Sequence, residues 1–459
     1  MSKSILSLLP LLLALSVCAQ EKFYEEPIGW RGKSIELHTI SDREKLNSCL
    51  FLCNGDSVRA FVLDSKQAVI QHFYFNRLQS EQFLGGFMKG GKVYAFLQPT
   101  GPNTNPILHV WVLDIVKGTH SDFVVLFDMR HESAVEEISC GDRFLYFAVN
   151  KKESQFTIYD FGEDQRIDTL HYSFENGVWK ALTEYDGNFG RDVTVVKIDP
   201  GLQLNRDLGH VPNKLYWMHD TLFLLMNSWQ KGVTAIFSFD VQTKKVGLRK
   251  VIHNDIQETQ PGRANYTDNS FLLDDKLFFV SADDQKMDLQ VRDFHSGSLL
   301  REYTARSFGD SLFINTPIDL DGPLSGKKSR EQPKLWQLLK MMYEGSSVLI
   351  VSREDSGRIG LTIGAWKEET TLRRSGGPGS APLYSRSTSI ESSGFKLLMD
   401  STTLEHVPGP VTRGIGDRIV DYRKKISIPP AGESLFENGG KYVYAYYDRD
   451  EHKIVLTNF

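Results

Sequence analysis

Short apolar runs recur along the chain in one fixed order. A strand is followed by a polar turn, a second strand, another turn, and a third strand that ends in Asp. The third-strand segments are Ile107–Asp114, Gln155–Asp160, Val233–Asp240 and Asp288–Asp293. Polar turns follow them, as at Val241–Lys245 and Phe294–Ser298, and a fourth strand follows each turn. One complete unit reads Ala134–Ser139, Arg143–Val149, Gln155–Asp160 and Arg166–Phe174. A second reads Lys214–His219, Thr221–Asn227, Val233–Asp240 and Lys245–His253. A third reads Ser270–Asp274, Lys276–Ser281, Asp288–Asp293 and Ser298–Ala305, and an earlier unit runs from about Gln82 to Asp128. The second strand of each unit is apolar almost throughout, as a strand covered on both faces must be.

Short strands with frequent turn signals fit a sandwich, a barrel or a propeller. A repeated four-stranded unit of about 40–50 residues selects the β-propeller, in which such units stack around an axis. The pattern resembles propeller blades in general, including the Asp that closes the third strand in the WD-repeat family. The Trp-Asp dipeptide of that family is missing from these units, so no family is assigned. The expected fold is all-β, a propeller of about seven four-stranded blades, with six or eight also fitting. A first unit starts near Cys49 and includes Val58–Leu63 and Val69–Phe75; a later hairpin lies at Ser347–Ser352 and Ile359–Trp366. The final strands, Tyr442–Tyr447 and Lys453–Thr457, leave the last blade one strand short. An N-terminal strand around Ser34–Thr39 is expected to complete it, because pairing N- and C-terminal strands would close the ring and protect its open edges.

Two stretches interrupt the repeat. Thr183–Leu208 reads as an extra hairpin or insertion. The second, from Asn315 to about Gly345, forms a helix-bearing insertion near 315–345, with the helix expected over Gln332–Tyr343. Pro333 suits a first helical turn, and Leu335, Leu338, Leu339 and Met342 recur at helical spacing. Trp336 and Met341 lie off that stripe and widen the face, which makes them the candidate partner surface. The plainer reading is a helix that only caps the propeller. The polar, Gly- and Ser-rich segment 373–393 is expected to be a mobile loop.

The chain opens with Lys3, an apolar stretch from Ile5 to Val17 and then Cys18-Ala19-Gln20. This is the layout of a signal peptide over residues 1–19, leaving residues 20–459 as a single propeller domain. Val17 stands where a lipidation signal needs a small residue, which argues against a lipid anchor at Cys18. No later segment is apolar enough for a transmembrane span. A net charge of −5 without a basic block excludes nucleic acid as the expected partner. Beyond Cys18 the cysteines are Cys49, Cys53 and Cys140. Cys49 and Cys53 stand roughly 13 Å apart along one strand, too far for a mutual disulfide, and buried strand thiols are the expected state.

No nucleophile elbow, His-Glu-x-x-His motif, phosphate loop or dinucleotide fingerprint occurs, and no cofactor or metal is expected. Asp319-Leu320-Asp321-Gly322 opens like a calcium loop, but Pro323 interrupts the series of ligands such a loop needs. Asp448, Asp450 and Glu451 read as a solvated turn. Asp114, Asp160, Asp240 and Asp293 read as turn-capping acceptors. Asn265-Tyr266-Thr267 matches a glycosylation sequon. Trp30, Trp179, Trp229 and Trp366 fall near turns and strand ends, where they either bind ligands or seal blades. These features point to an exported, non-catalytic binding or protein-interaction scaffold in the cell envelope, with an envelope protein or glycan as partner. The alternative is an exported hydrolase or lyase acting on glycans or peptides through a central polar pocket.

Overall fold

The computed structural model describes residues 21–459 except 32–34, 43–46, 78–80, 101–106, 129–130, 151, 164–165, 175–177, 179–194, 199–205, 231, 253–265, 307–313, 322–333, 355–356, 376–382 and 412–413. The described strands form seven sheets, six with four strands and one with five. The fold is a seven-bladed β-propeller. The first blade holds β2 (Ile35–Asp42), β3 (Asn47–Asn54), β4 (Ser57–Leu63) and β5 (Val69–Asn76), in that spatial order. The second holds β6 (Glu81–Lys89), β7 (Lys92–Pro99), β8 (Ile107–Asp114) and β9 (Thr119–Leu126). The third holds β10 (Ser133–Cys140), β11 (Arg143–Asn150), β12 (Gln155–Phe161) and β13 (Ile167–Ser173).

The fourth blade has β14 (Val196–Ile198), β15 (Asn213–Met218), β16 (Thr221–Gln230), β17 (Val233–Asp240) and β18 (Lys245–Ile252). The fifth has β19 (Thr267–Leu273), β20 (Lys276–Ala282), β21 (Lys286–Asp293) and β22 (Leu299–Arg306). The sixth runs β24 (Ser346–Glu354), β25 (Arg358–Ser375), β26 (Leu383–Asp400) and β23 (Asp319–Asp321). The seventh runs β27 (Glu433–Asn438), β28 (Lys441–Asp448), β29 (Lys453–Asn458) and β1 (Glu21–Pro27). First strands touch first strands of neighbouring blades, β2 with β6 and β27, and β19 with β24, so they lie nearest the axis. Second strands such as β11 are buried almost end to end, whereas the outer strand β9 is largely exposed. Apolar side chains fill the layers between blades, which explains the continuous runs in the sequence.

The seventh blade corrects one expectation. Its outer strand is β1, paired antiparallel with β29 from Glu21↔Asn458 to Pro27↔Lys453. Of the Ser34–Thr39 stretch, Ser34 lies outside the described residues, and Ile35–Thr39 lies instead in β2, at the axial edge of the first blade, paired with β3. An outer strand covers little apolar surface, so the charged segment EKFYEEP carries no hydrophobic signal.

The interruptions are also built into blades. From the first, Val196–Ile198 becomes β14 and pairs parallel with β15, and Arg206–Gly209 forms the single-turn helix α1. The second supplies β23, the outer strand of the sixth blade, paired with β26, and the helix α2 (Leu335–Glu344). The expectation of a mobile loop over 373–393 does not hold for the described backbone. Arg373–Ser375 and Leu383–Ser393 belong to β25 and β26, which pair in continuous register from Arg358↔Asp400 to Ser375↔Leu383. Ser and Thr suit strands as readily as loops, and that ambiguity hid the hairpin; residues 376–382 lie outside the described residues. A further helix, α3 (Ile415–Arg423), was not legible in the sequence and packs Ile419 and Tyr422 against Tyr444 and Tyr446 of β28.

Candidate binding surface where the axial strands begin

Helix α2 enters β24 directly, at the end of the propeller where the axial strands begin. Its first turn is held by the Lys334 backbone N–H, which donates to Gln337 Oε1 at 2.7 Å. Its last turn closes on Gly345, whose N–H donates to Met341 O at 2.9 Å. Leu338, Leu339 and Met342 are fully buried and Leu335 is 7% exposed, so the spaced apolar stripe is the packed face. The candidate pair is divided. Trp336 is 42% exposed, with Tyr343 at 36%, whereas Met341 is partly buried and packs against the core. Tyr343 is the partner that the sequence reading missed; it lies seven positions after Trp336, two helical turns along one line. Glu344 accepts from Lys367 Nζ at 2.8 Å, which fastens the helix to β25 and holds the Glu344 carboxyl below its ordinary pKa.

At the same end, the polar residues of the axial strands are bonded to one another and to the chain leaving α1. Lys214 Nζ donates to Val211 O at 2.6 Å and also to Asn269 Oδ1. Asn269 Nδ2 donates to Gly209 O at 3.0 Å and Ser347 O at 2.7 Å. Asn227 Nδ2 donates to Pro212 O at 3.1 Å and to Ser270 Oγ at 2.9 Å, and its Oδ1 accepts from Thr234 Oγ1. This network ties the fourth, fifth and sixth blades to segment 209–212. Lys214 is completely buried, and burial pushes its amine down to about 7. The only sequence signal was a lysine opening an otherwise apolar strand.

A second set of charges sits on the first two blades. His109 Nδ1 lies 2.9 Å from Glu81 Oε1, and its Nε2 lies 2.8 Å from Asp122 Oδ2. The hydrogen bond to Glu81, aided by Asp122, holds this imidazole above its ordinary pKa. Beside it, buried Arg77 forks onto Glu36 through two bonds of 3.0 Å and donates to Gly55 O at 2.8 Å. The His109 set joins strands within the second blade, and Arg77 ties the chain leaving the first blade back to that blade.

The remaining sequence candidates have structural places. Asp114 Oδ1 accepts from Lys117 N at 2.9 Å, Asp240 from Gln242 and Thr243, and Asp293 from His295 and Ser296. Asp160 departs from the turn-capping expectation, because it accepts from Arg143 Nη1 at 2.8 Å. Asp64 and Asp400 cap equivalent turns, and the sequence reading passed over both. Asp448 Oδ1 accepts from Asp450 N and Glu451 N, and Asp319 pairs with Arg206 at 2.6 Å. Trp366 is 9% exposed and stacks on His210 at 4.6 Å. Trp30 is partly buried under Arg59. Trp179 and Asn265 lie outside the described residues, as does the side chain of Trp229. Cys49, Cys53 and Cys140 are buried free thiols; burial pushes Cys53 up to about 12 and raises the other two. No group of three or more metal-ligating side chains converges among the described residues.

No family model and no curated protein matches the sequence. Among solved structures, the chain is similar to Hsv2 of Kluyveromyces lactis, with 12% identity over 93% of this chain and 98% of that one and a TM-score of 0.36. It is also similar to the Dos1 propeller, with 8% identity over 96% and 95% of the two chains and a TM-score of 0.35. A third is the WD40 domain of SCAP from fission yeast, at 8% identity, 95% and 98% coverage and a TM-score of 0.31.

Proposed function

We propose that this chain is an exported, non-catalytic binding scaffold of the cell envelope that docks a partner protein or glycan on the exposed face of α2. The observation that carries this reading is the helix itself. One face is fully buried through Leu338, Leu339 and Met342, while Trp336 and Tyr343 remain open to solvent on the other. Large aromatics in this position provide most of the energy in many recognition surfaces. The inward bonding of Lys214, Asn269 and Asn227 supports binding over catalysis at the axis, since those side chains are engaged within the protein. Export rests on the basic start, apolar stretch and Cys18-Ala19-Gln20 ending of residues 1–20, which lie outside the described residues. No helix among the described residues is long and apolar enough to cross a membrane.

A photo-crosslinking residue at position 343, introduced in the native cell, tests this reading. One stoichiometric partner, lost when Trp336→Asp is added, is the expected result. Crosslinking that is unchanged by Trp336→Asp would refute docking on α2.

A further inference from the structure

The β25–β26 hairpin is longer than its blade. β24 accompanies β25 only as far as Ser346↔Trp366, and β23 covers β26 only at Ser392–Gly394. Beyond those contacts β25 and β26 continue together from Lys367↔Glu391 to Ser375↔Leu383 without a register shift. At about 3.4 Å per residue this ribbon reaches roughly 30 Å past the blade. Neither of its edges has a strand neighbour in the described sheets. Three other outer strands carry an extra residue that shifts the register, Ile70 in β5, Leu300 in β22 and Phe23 in β1, whereas β9, β13 and β18 pair without one. Extra residues of that kind discourage edge pairing, and the ribbon has none.

The stretch of β25 beyond β24 reads Glu368, Glu369, Thr370, Thr371, Leu372, Arg373, Arg374. Two acidic positions and two basic positions lie symmetrically about Thr371. Within the hairpin these four charged positions stand across from Ile390, Ser389, Ser385 and Tyr384, none of which is charged. An antiparallel pairing of two copies centred on Thr371 sets Glu368 opposite Arg374 of the second copy and Glu369 opposite Arg373. The twofold axis repeats both pairs. Sliding the register by one or two residues breaks at least half of these matches. Opposite charges at directly paired positions favour a strand pairing, and like charges oppose it.

We infer that this protein self-associates through the β25 edge, a second copy adding its ribbon antiparallel about Thr371 to form a four-stranded sheet between two propellers. Such an interface is isologous, since the same segment serves both subunits, and its ladder satisfies backbone groups that each ribbon leaves open. It depends on the hairpin alone and stands whether or not α2 docks another molecule.

Light scattering coupled to gel filtration of the full-length mature protein tests the inference. Wild type should elute at twice the chain mass. Glu368→Arg with Glu369→Arg, and separately Arg373→Glu with Arg374→Glu, should each halve the mass while leaving the thermal midpoint unchanged. Mixing the two double variants should restore the doubled mass, because an all-basic edge then meets an all-acidic one. A wild-type monomer, a double variant that stays dimeric, or a mixture that stays monomeric would each overturn it.

Discussion

Lys453 Nζ on β29 lies 2.6 Å from Glu25 Oε2 on β1, joining residues 428 positions apart in sequence. The contact reports on the ring seam without being its main support. A partly exposed pair of this kind contributes about 0.2–1 kcal/mol, so Lys453→Ala should lower the thermal midpoint only slightly. Deleting residues 21–27 removes the whole β1–β29 ladder and exposes the edge of β29. A clear fall in midpoint is expected, and an unchanged melt would show that the seventh blade does not need its outer strand.

Lys214 gives a pH signature. An unfolded lysine titrates near 10.4, while burial pushes the folded amine down to about 7. Between those values the unfolded chain binds more protons, so this group makes stability rise with pH across that window. Below about 7 both states are protonated and the dependence disappears. The difference in unfolding free energy between wild type and Lys214→Met, measured by urea titration, should climb from pH 7 to 10. A flat difference would contradict a charge-sensitive amine.

His109 should behave in the opposite sense. Its folded pKa is raised by Glu81 and Asp122, so its stabilisation is fully present below the unfolded value of about 6.5 and is lost as pH rises through the folded one. His109→Gln should cost about 1–2 kcal/mol in mildly acidic buffer, and the gap to wild type should narrow above neutrality. A gap that widens with pH would reverse this assignment.

The two faces of α2 should separate stability from recognition. Leu338 is fully buried, so Leu338→Ala should destabilise the fold by about 2–5 kcal/mol. Trp336→Ala, at an exposed site, should leave the denaturation midpoint nearly unchanged. A large stability loss on Trp336→Ala would mean that the indole is a packing element instead of a recognition surface.

The blades were readable because strands such as β11 and β20 lie between neighbouring sheets, so nearly every position along them is apolar. The helix stripe was readable for the same reason, since Leu335, Leu338, Leu339 and Met342 all enter the core. What escaped was structure held by little apolar burial. Strand β1 is built of charged residues and stabilised by edge pairing. The β25–β26 ribbon is rich in Ser and Thr, which suit loops and strands alike. The Lys214 network escaped for another reason: Asn269 and Ser347 are 55 and 133 positions further along the chain, and only the stacking of the fourth, fifth and sixth blades brings them together.

The pairing of β1 with β29 also constrains how the protein is made. Strand β1 leaves the ribosome ahead of every other described strand, and its partner follows all of them. Throughout synthesis the nascent ring therefore shows a raw edge at each end, open to pairing with neighbouring chains. Contacts that span nearly the whole sequence form slowly. Assembly of this protein should thus finish in one late step, and a ribosome stalled before Lys453 should hold six blades with an unplaced leading strand.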